Sequence, residues 1–240
     1  MQRINLPYFD ERNAKIDMIV IHSIAHDLKG AIDAFHRNKV SAHYLIDEKG
    51  KIYRLVDDNM RAWHAGISYW QAKENLNHNS IGIELCSSSF GQEPYPYRQI
   101  SALIRLCKRL KRKYHIKKTR ILGHSDIAPV RKADPGKAFP WRYLSKHGLG
   151  VWYDLKNASK VKENNEKALL ETIGYETTDL NAAKWAFVRH FMWQYVPTDT
   201  VLNLIENPYP DEILISQDEF LSVLKAVCFE YLLPEQTCHR

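Results

Sequence analysis

The sequence has few cysteines, no long hydrophobic run and no apolar segment at its amino terminus. The four cysteines among its 240 residues are Cys86, Cys107, Cys228 and Cys238. They form no CxxC pair, which favours free structural thiols in a reducing compartment. Apolar runs of only a handful of residues exclude a membrane-spanning helix, and residues 1–7 lack the apolar core of a secretory signal. We therefore expect the protein to be cytoplasmic.

Acidic residues are absent from residues 105–120, a stretch rich in lysine and arginine. One interpretation is a face that binds nucleic acid. The other is the solvated side of an amphipathic helix near residues 97–115, because Leu103, Cys107 and Leu110 recur at helical spacing. We favour the helix and expect no nucleic-acid partner.

Charge divides the chain into two parts. Residues 160–240 carry 7 Lys/Arg and 13 Asp/Glu, whereas the remainder carries 27 and 15. Such asymmetry indicates two units with different surfaces. Gly148 and Gly150 mark the end of the first unit. We predict a domain over residues 1–150, a linker over 151–164 and a small helical domain over 165–240.

Strand and helix signals alternate through the first unit. Apolar or β-rich runs predict strands at residues 18–21, 43–47, 51–55, 80–85 and 120–122, and the second and third form a hairpin around Glu48-Lys49-Gly50. Helical patterns lie at residues 31–37 and 97–115. The fold class is therefore α/β, with a mixed β-sheet flanked by helices.

The second unit is helical. Residues 167–173, 181–195 and 217–231 read as three helices, with Pro197, Pro208 and Pro210 between them. This part contains no cluster of potential catalytic or metal-binding residues.

Two histidines and an aspartate in the first unit suggest a metal site. His22 ends a buried strand, His124 follows another, and Asp134 lies in a loop of residues 128–141 rich in proline and glycine. Two imidazoles and a carboxylate provide three zinc ligands and leave a fourth position for water. Taken singly, each has an ordinary alternative: a hydrogen-bonded core histidine, or an aspartate in a turn.

Two further residues could complete a hydrolytic site. Glu84 ends an apolar strand, where it could be a general base or a residue that faces solvent. Lys132 could stabilise an oxyanion or be a surface lysine. His43 and His64 also compete as ligands or substrate contacts, and spacing alone does not choose among eleven histidines.

Six strings of residues together resemble the type-2 N-acetylmuramoyl-L-alanine amidases, the AmpD and AmiD group, which share a fold with peptidoglycan recognition proteins. In order along residues 16–145, the strings are Ile21-His22-Ser23, Ser41-Ala42-His43-Tyr44-Leu45-Ile46, Ala62-Trp63-His64-Ala65-Gly66, Asn79-Ser80-Ile81-Gly82-Ile83-Glu84, Gly123-His124-Ser125-Asp126-Ile127-Ala128-Pro129 and Lys132-Ala133-Asp134-Pro135-Gly136.

This resemblance implies specific roles. His22, His124 and Asp134 would bind one Zn²⁺, Glu84 would be the catalytic acid/base, and Lys132 would stabilise the oxyanion. The substrate would be the amide between N-acetylmuramic or 1,6-anhydro-muramic acid and L-Ala of the stem peptide, in peptidoglycan recycling or turnover. The residues expected in the substrate groove are Arg54, Trp63, His64, Trp70 and Asn79.

The resemblance also keeps two alternatives open. Non-catalytic relatives of this fold bind muropeptides without cutting them, so a recognition protein is the alternative function. The C-terminal helices resemble a degenerate peptidoglycan-binding domain appended to AmiD-like enzymes. An AmiD-like role would place the protein in the periplasm or cell envelope rather than in the cytoplasm.

Overall fold

Strand β3 (Met18–Ile24) is buried on both sides, as expected for a strand with helices on both faces of its sheet. Ile19 and Ile21 belong to the hydrophobic core on one face, and Met18 and Val20 to the core on the other. This is a computed structural model, and it describes residues 1–209 and 215–234.

Around β3, the described residues form further strands, α-helices and short 3₁₀ helices. The other strands are β1 (Gln2–Arg3), β2 (Phe9–Glu11), β4 (Tyr44–Ile46), β5 (Ile52–Arg54), β6 (Met60–Ala62), β7 (Tyr69–Trp70), β8 (Lys73–Glu74), β9 (Ser80–Cys86) and β10 (Ile121–Gly123). The α-helices are α1 (Leu28–Asn38), α2 (Tyr97–Tyr114), α3 (His124–Ile127), α4 (Trp141–Ser145), α5 (Glu166–Ile173), α6 (Leu180–Phe191), α7 (Val201–Glu206) and α8 (Gln217–Leu232). The 3₁₀ helices are Leu76–His78, Lys118–Arg120, Leu155–Lys160 and Trp193–Tyr195.

Six strands form the main sheet, in the order β1-β5-β4-β9-β3-β10. All neighbours are parallel except β4 and β5, which form the predicted antiparallel hairpin. The mixed sheet flanked by helices is therefore confirmed. Two-stranded sheets, β2-β6 and β7-β8, lie outside it.

Strands β3 and β9 extend beyond their predicted ends. The prediction ended them at residues 21 and 85, because the polar residue His22 interrupts the apolar pattern of β3. In the structure His22 lies within β3 and pairs in register with Glu84 of β9. Both side chains are thus fixed by strand backbone on neighbouring positions of one sheet face.

Helix α2 covers one face of the sheet. Its apolar residues, including Leu103, Cys107 and Leu110, are buried in the core with Ile19 and Ile21. Arg105, Lys108 and most of the other basic residues of α2 are exposed. The helix ends where His115 adopts a left-handed conformation with φ of 53°.

The opposite face is shared between two helical layers. Helix α1 packs through Ala31 and Phe35 onto the β4 side, whereas the C-terminal helices cover Met18 and Val20 of β3. The carboxyl ends of β3, β9 and β10 open between these two layers.

The three predicted C-terminal helices correspond to α5, α6 and α8, and the structure adds the short helix α7. Its six residues are too few for a periodic pattern to be recognised, but Thr200 caps it by accepting a hydrogen bond from the Asn203 amide. The proposed linker over residues 151–164 contains a 3₁₀ helix and buries Val151 and Val161. One hydrophobic cluster also joins Val20 of the sheet to Phe187 of α6.

Three of the four cysteines are buried free thiols: Cys86, Cys107 and Cys228. Cys238 lies outside the described residues. Within residues 1–209 and 215–234, no helix combines the length and apolar character needed to cross a bilayer.

Candidate metal centre and catalytic groove

Three elements bring the predicted metal ligands together. Strands β3 and β10 are parallel neighbours in which Ile21 pairs with Gly123. Because His22 and His124 each follow one of these paired residues, their side chains emerge side by side. Asp134 arrives from the loop after α3, whose Ser125 amide donates a hydrogen bond to the Asp134 carbonyl at 2.8 Å.

The ligand atoms are spaced as a tetrahedral zinc site requires. His22 Nδ1 lies 2.9 Å from His124 Nδ1, and Asp134 Oδ2 lies 3.4 Å and 3.2 Å from these two atoms. Zinc bonds about 2.0–2.1 Å long place tetrahedral ligand atoms about 3.3 Å apart. All three residues are buried, so the cluster fits one Zn²⁺.

Hydrogen bonds on the far side of each imidazole set its tautomer. His124 Nε2 lies 3.1 Å from the Ala65 carbonyl, which only accepts, so this nitrogen carries the proton. His22 Nε2 lies 3.0 Å from His64 Nδ1, and His64 Nε2 lies 3.1 Å from Ser80 Oγ. Ser80 donates to the Leu76 carbonyl.

These hydrogen bonds all run in one direction. His22 Nε2 donates to His64, His64 donates to Ser80, and Ser80 donates to the Leu76 carbonyl. Together with the hydrogen bond between His124 and Ala65, this arrangement leaves Nδ1 of His22 and Nδ1 of His124 unprotonated. Each of these atoms then presents a lone pair beside the Asp134 carboxylate. Such a group of acceptors, buried together, is stable only with a cation between them.

The electrostatics of the cluster agree with metal binding. Burial and repulsion by the His124 imidazole lower the pKa of His22 to about 4. Burial opposes ionisation of Asp134, but His124 and His22 outweigh it and hold the pKa of Asp134 well below its usual value. At neutral pH the site therefore offers a neutral imidazole and a carboxylate, the forms that bind metal.

Glu84 and Lys132 lie on the wall of the same groove as His124 and Asp134. Burial, with the nearby charge of Asp134, raises the pKa of Glu84 well above its usual value, while Lys132 lowers it. Within the described part of the chain, Glu84 Oε2 is buried without a hydrogen-bond partner. A carboxyl group with a raised pKa and a free oxygen is suited to proton transfer.

The groove has a volume of about 430 Å³ and runs between α1 and the loop that carries Asp134. Phe35 and Asn38 of α1 form one wall, and Arg131 and Lys132 form the other. Among the residues expected to bind substrate, Trp63 and His64 line it. His64 has both ring nitrogens occupied by His22 and Ser80, so it supports a metal ligand.

The structure does not bring Arg54, Asn79 and Trp70 to this groove. Arg54 forms a salt bridge of 2.9 Å with Asp57 at the hairpin. Asn79 donates to Asp17 at 2.7 Å. Trp70 is fully buried beneath the C-terminal helices.

The groove residues that sequence reasoning missed include Arg131 and Ile205. Arg131 donates to the Ala65 carbonyl at 3.1 Å and so ties the Asp134 loop to the loop that follows Trp63. Its position next to Lys132 in the sequence could have identified Arg131 as a groove residue. Ile205 reaches the groove from α7, and no sequence pattern connects residue 205 with this site.

A buried cluster of two histidines and one aspartate, beside a glutamate in an open groove, defines the class of zinc-dependent hydrolase sites. Residues 12–137 match the family model described as N-acetylmuramoyl-L-alanine amidase. The chain belongs to this amidase family.

Known relatives agree with this assignment. The chain is similar to the N-acetylmuramoyl-L-alanine amidase AmiD of Escherichia coli, with 38% identity over 60% of this chain and 58% of AmiD. It is also similar to the 1,6-anhydro-N-acetylmuramyl-L-alanine amidase AmpD of Haemophilus influenzae, with 39% identity over 60% of this chain and 90% of AmpD. The matched segment thus spans less than two thirds of AmiD but most of AmpD.

One solved structure extends the similarity to the helical region. It is the complex of E. coli AmiD with its substrate anhydro-N-acetylmuramic acid-L-Ala-D-gamma-Glu-L-Lys. It superposes with a TM-score of 0.73 at 30% identity, over 92% of this chain and 93% of that chain. The C-terminal helices are therefore part of a shared fold.

Proposed function

We propose that this chain is a zinc-dependent amidase that cleaves the amide between muramic acid and L-Ala of a peptidoglycan stem peptide. The observation that carries the proposal is the convergence of His22, His124 and Asp134 at the groove whose wall includes His124, Asp134 and Glu84. The substrates named for the AmiD and AmpD relatives support the substrate class. The partners of the protein are then muropeptides, with an anhydro or an intact sugar.

The residues of the groove have separate roles in this reaction. His22, His124 and Asp134 hold Zn²⁺, which supplies Lewis acidity that polarises a carbonyl group and makes water more acidic. Glu84 accepts the proton of the attacking water and later delivers it to the leaving nitrogen. Lys132 places a positive charge near the oxyanion that forms at the attacked carbon.

The first experiment follows cleavage directly. The purified protein is incubated with a 1,6-anhydro-muropeptide and with an intact muropeptide, with and without a zinc chelator, and products are identified by mass spectrometry. We expect release of free stem peptide that the chelator abolishes. The ratio between the two substrates distinguishes a recycling enzyme from one that remodels the cell wall.

Glu84→Gln separates catalysis from metal binding. Loss of the proton-transfer group is expected to lower the rate by about 100- to 10,000-fold while the bound zinc is retained. Glu93→Gln, a matched change at an exposed position, should leave the rate unchanged. Intact substrate after long incubation with zinc-loaded wild-type protein would contradict the amidase and support a muropeptide recognition protein.

We propose a cytoplasmic location. Three buried free thiols, at Cys86, Cys107 and Cys228, support it. Cell fractionation of the source organism tests this location, and recovery of the protein with the periplasm or envelope would contradict it.

A further inference from the structure

A buried polar cluster joins the turn that carries His124 to the C-terminal helices. Asp126 lies two residues after His124, within α3, and is almost fully buried. Its carboxylate accepts hydrogen bonds from the Gly123 amide at 2.7 Å, from Tyr175 Oη at 2.8 Å and from His190 Nδ1 at 2.9 Å. Only the first of these donors belongs to the same turn.

The two donors from the helical region matter because a buried carboxylate is costly without partners. A buried ionisable group that loses one hydrogen-bond partner pays the desolvation penalty of the unpaired atom. Tyr175 follows α5 and His190 lies in α6, so the helical region supplies two of the three hydrogen bonds that Asp126 receives from the described residues. Arg189, also buried, adds a positive charge that interacts with Asp126.

Both donor side chains are held in place by aromatic packing. The His190 ring is stacked between Trp141, at 4.0 Å between ring centroids, and Phe191, at 4.1 Å. Tyr175 packs edge-on against Trp70 at 4.9 Å. The donors therefore reach Asp126 from fixed positions, and Trp70 contributes by packing against Tyr175.

The Asp126 turn is connected on its other side to the metal ligands. Gly123 precedes His124 and is fixed by its hydrogen bond to Asp126. Ser125 lies between the two and donates its amide proton to the carbonyl of Asp134. A shift of Asp126 would thus move the backbone on both sides of His124 and the backbone of Asp134.

We propose that Tyr175 and His190 are positioning residues for the metal site, acting through Asp126. The helical region then serves the reaction by fixing the spacing of His124 and Asp134. AmpD of H. influenzae matches 60% of this chain along 90% of its own length. The inference rests on the zinc site proposed above.

Tyr175→Phe tests the proposal with the smallest change. It removes the hydroxyl group that bonds Asp126 but keeps the ring that packs on Trp70. Zinc affinity of the full chain is measured by competition with a chelator of known affinity. We expect the zinc dissociation constant to rise by up to about 10-fold, because partners that bond a ligand directly contribute about 10- to 100-fold and Tyr175 acts one step further out. His190→Phe, which keeps the stacked ring, should act in the same direction.

Two controls separate positioning from stability. Tyr195→Phe removes a matched hydroxyl group, which bonds Glu219 at the surface of the same region, and should leave zinc affinity unchanged. Leu170→Ala removes fully buried apolar contacts in the same region and should lower the unfolding temperature more than Tyr175→Phe, with less effect on zinc affinity.

The outcomes are distinguishable. If zinc affinity simply follows the unfolding temperature across the four variants, or if Tyr175→Phe behaves like Tyr195→Phe, the positioning role is wrong and the amidase proposal stands. If the wild-type chain binds no zinc, the proposed function itself fails. A loss of zinc affinity confined to Tyr175→Phe and His190→Phe supports the inference.

Discussion

The sheet region and the helical region serve the same groove in different ways. Residues 1–159 carry 27 Lys/Arg and 15 Asp/Glu, whereas residues 160–240 carry 7 and 13. The first region supplies the metal ligands, Glu84 and Lys132 from strand ends and a rigid loop. The second supplies no ligand from its described residues, but it reaches the site through Tyr175, His190 and Ile205.

This difference separates two kinds of functional contribution. Residues that bind metal or move protons need particular chemical groups at particular positions, so they leave motifs in the sequence. Residues that support them need only to fill space or to supply one hydrogen bond, which many sequences can do. The three predictions that follow test how far each region is required, from the largest expected effect to the smallest.

Removing a metal ligand from the sheet region should have the largest effect. His124→Ala or Asp134→Ala leaves two ligands, and we expect loss of bound zinc together with a fall of at least about 1,000-fold in amidase rate, since the metal contributes several kcal/mol. Metal analysis and the muropeptide assay measure both. His36→Ala, at an exposed histidine, is the control. Full activity and metal content in either ligand variant would refute the site.

An intermediate effect is expected for the residue that orients a ligand. His64→Ala removes the acceptor for the His22 Nε2 proton, and the zinc dissociation constant should rise by about 10- to 100-fold. Trp63→Ala, the neighbouring groove residue, should change KM and leave zinc affinity intact. If His64→Ala instead keeps full zinc affinity and loses only substrate binding, then His64 is a substrate contact.

The smallest effect is expected at the groove residue from the helical region. Ile205→Ala shortens an apolar side chain on the groove wall, so KM for the muropeptide should rise by about 3- to 10-fold without a change in kcat. Leu202→Ala, at an exposed position of the same helix α7, should change neither constant. Equal behaviour of the two variants would show that α7 does not contact the substrate.

The fold and the metal ligands could be predicted because local pattern and family motifs agree there. The helix α2 follows from helical periodicity, the hairpin follows from two β-rich runs around a Gly-containing turn, and the ligand set was selected by the motifs around His22, His124 and Asp134. Arg54, Asn79 and Trp70 were expected in the groove from the family resemblance. In the structure Arg54 pairs with the nearby Asp57, whereas Asn79 pairs with the distant Asp17 and Trp70 packs against the distant Tyr175.

The contributions of the helical region could not be predicted for a related reason. Tyr175 and His190 are ordinary residues in helical surroundings, and only the packing of α6 against α3 brings them to Asp126. Helix α7 is too short to leave a periodic pattern. Such contacts depend on the relative placement of whole elements, which a single sequence does not encode locally.

Gly82 of β9 sets the distance between His64 and the sheet. A methyl group at residue 82 would come within 2.4 Å of His64 Cγ, closer than side-chain atoms can approach. The His64 imidazole therefore packs directly against the backbone of β9. The strand thus fixes the position of the ring that orients His22. Gly82→Ala would add one carbon atom that displaces the His64 imidazole, and so would change the metal site without altering any metal ligand.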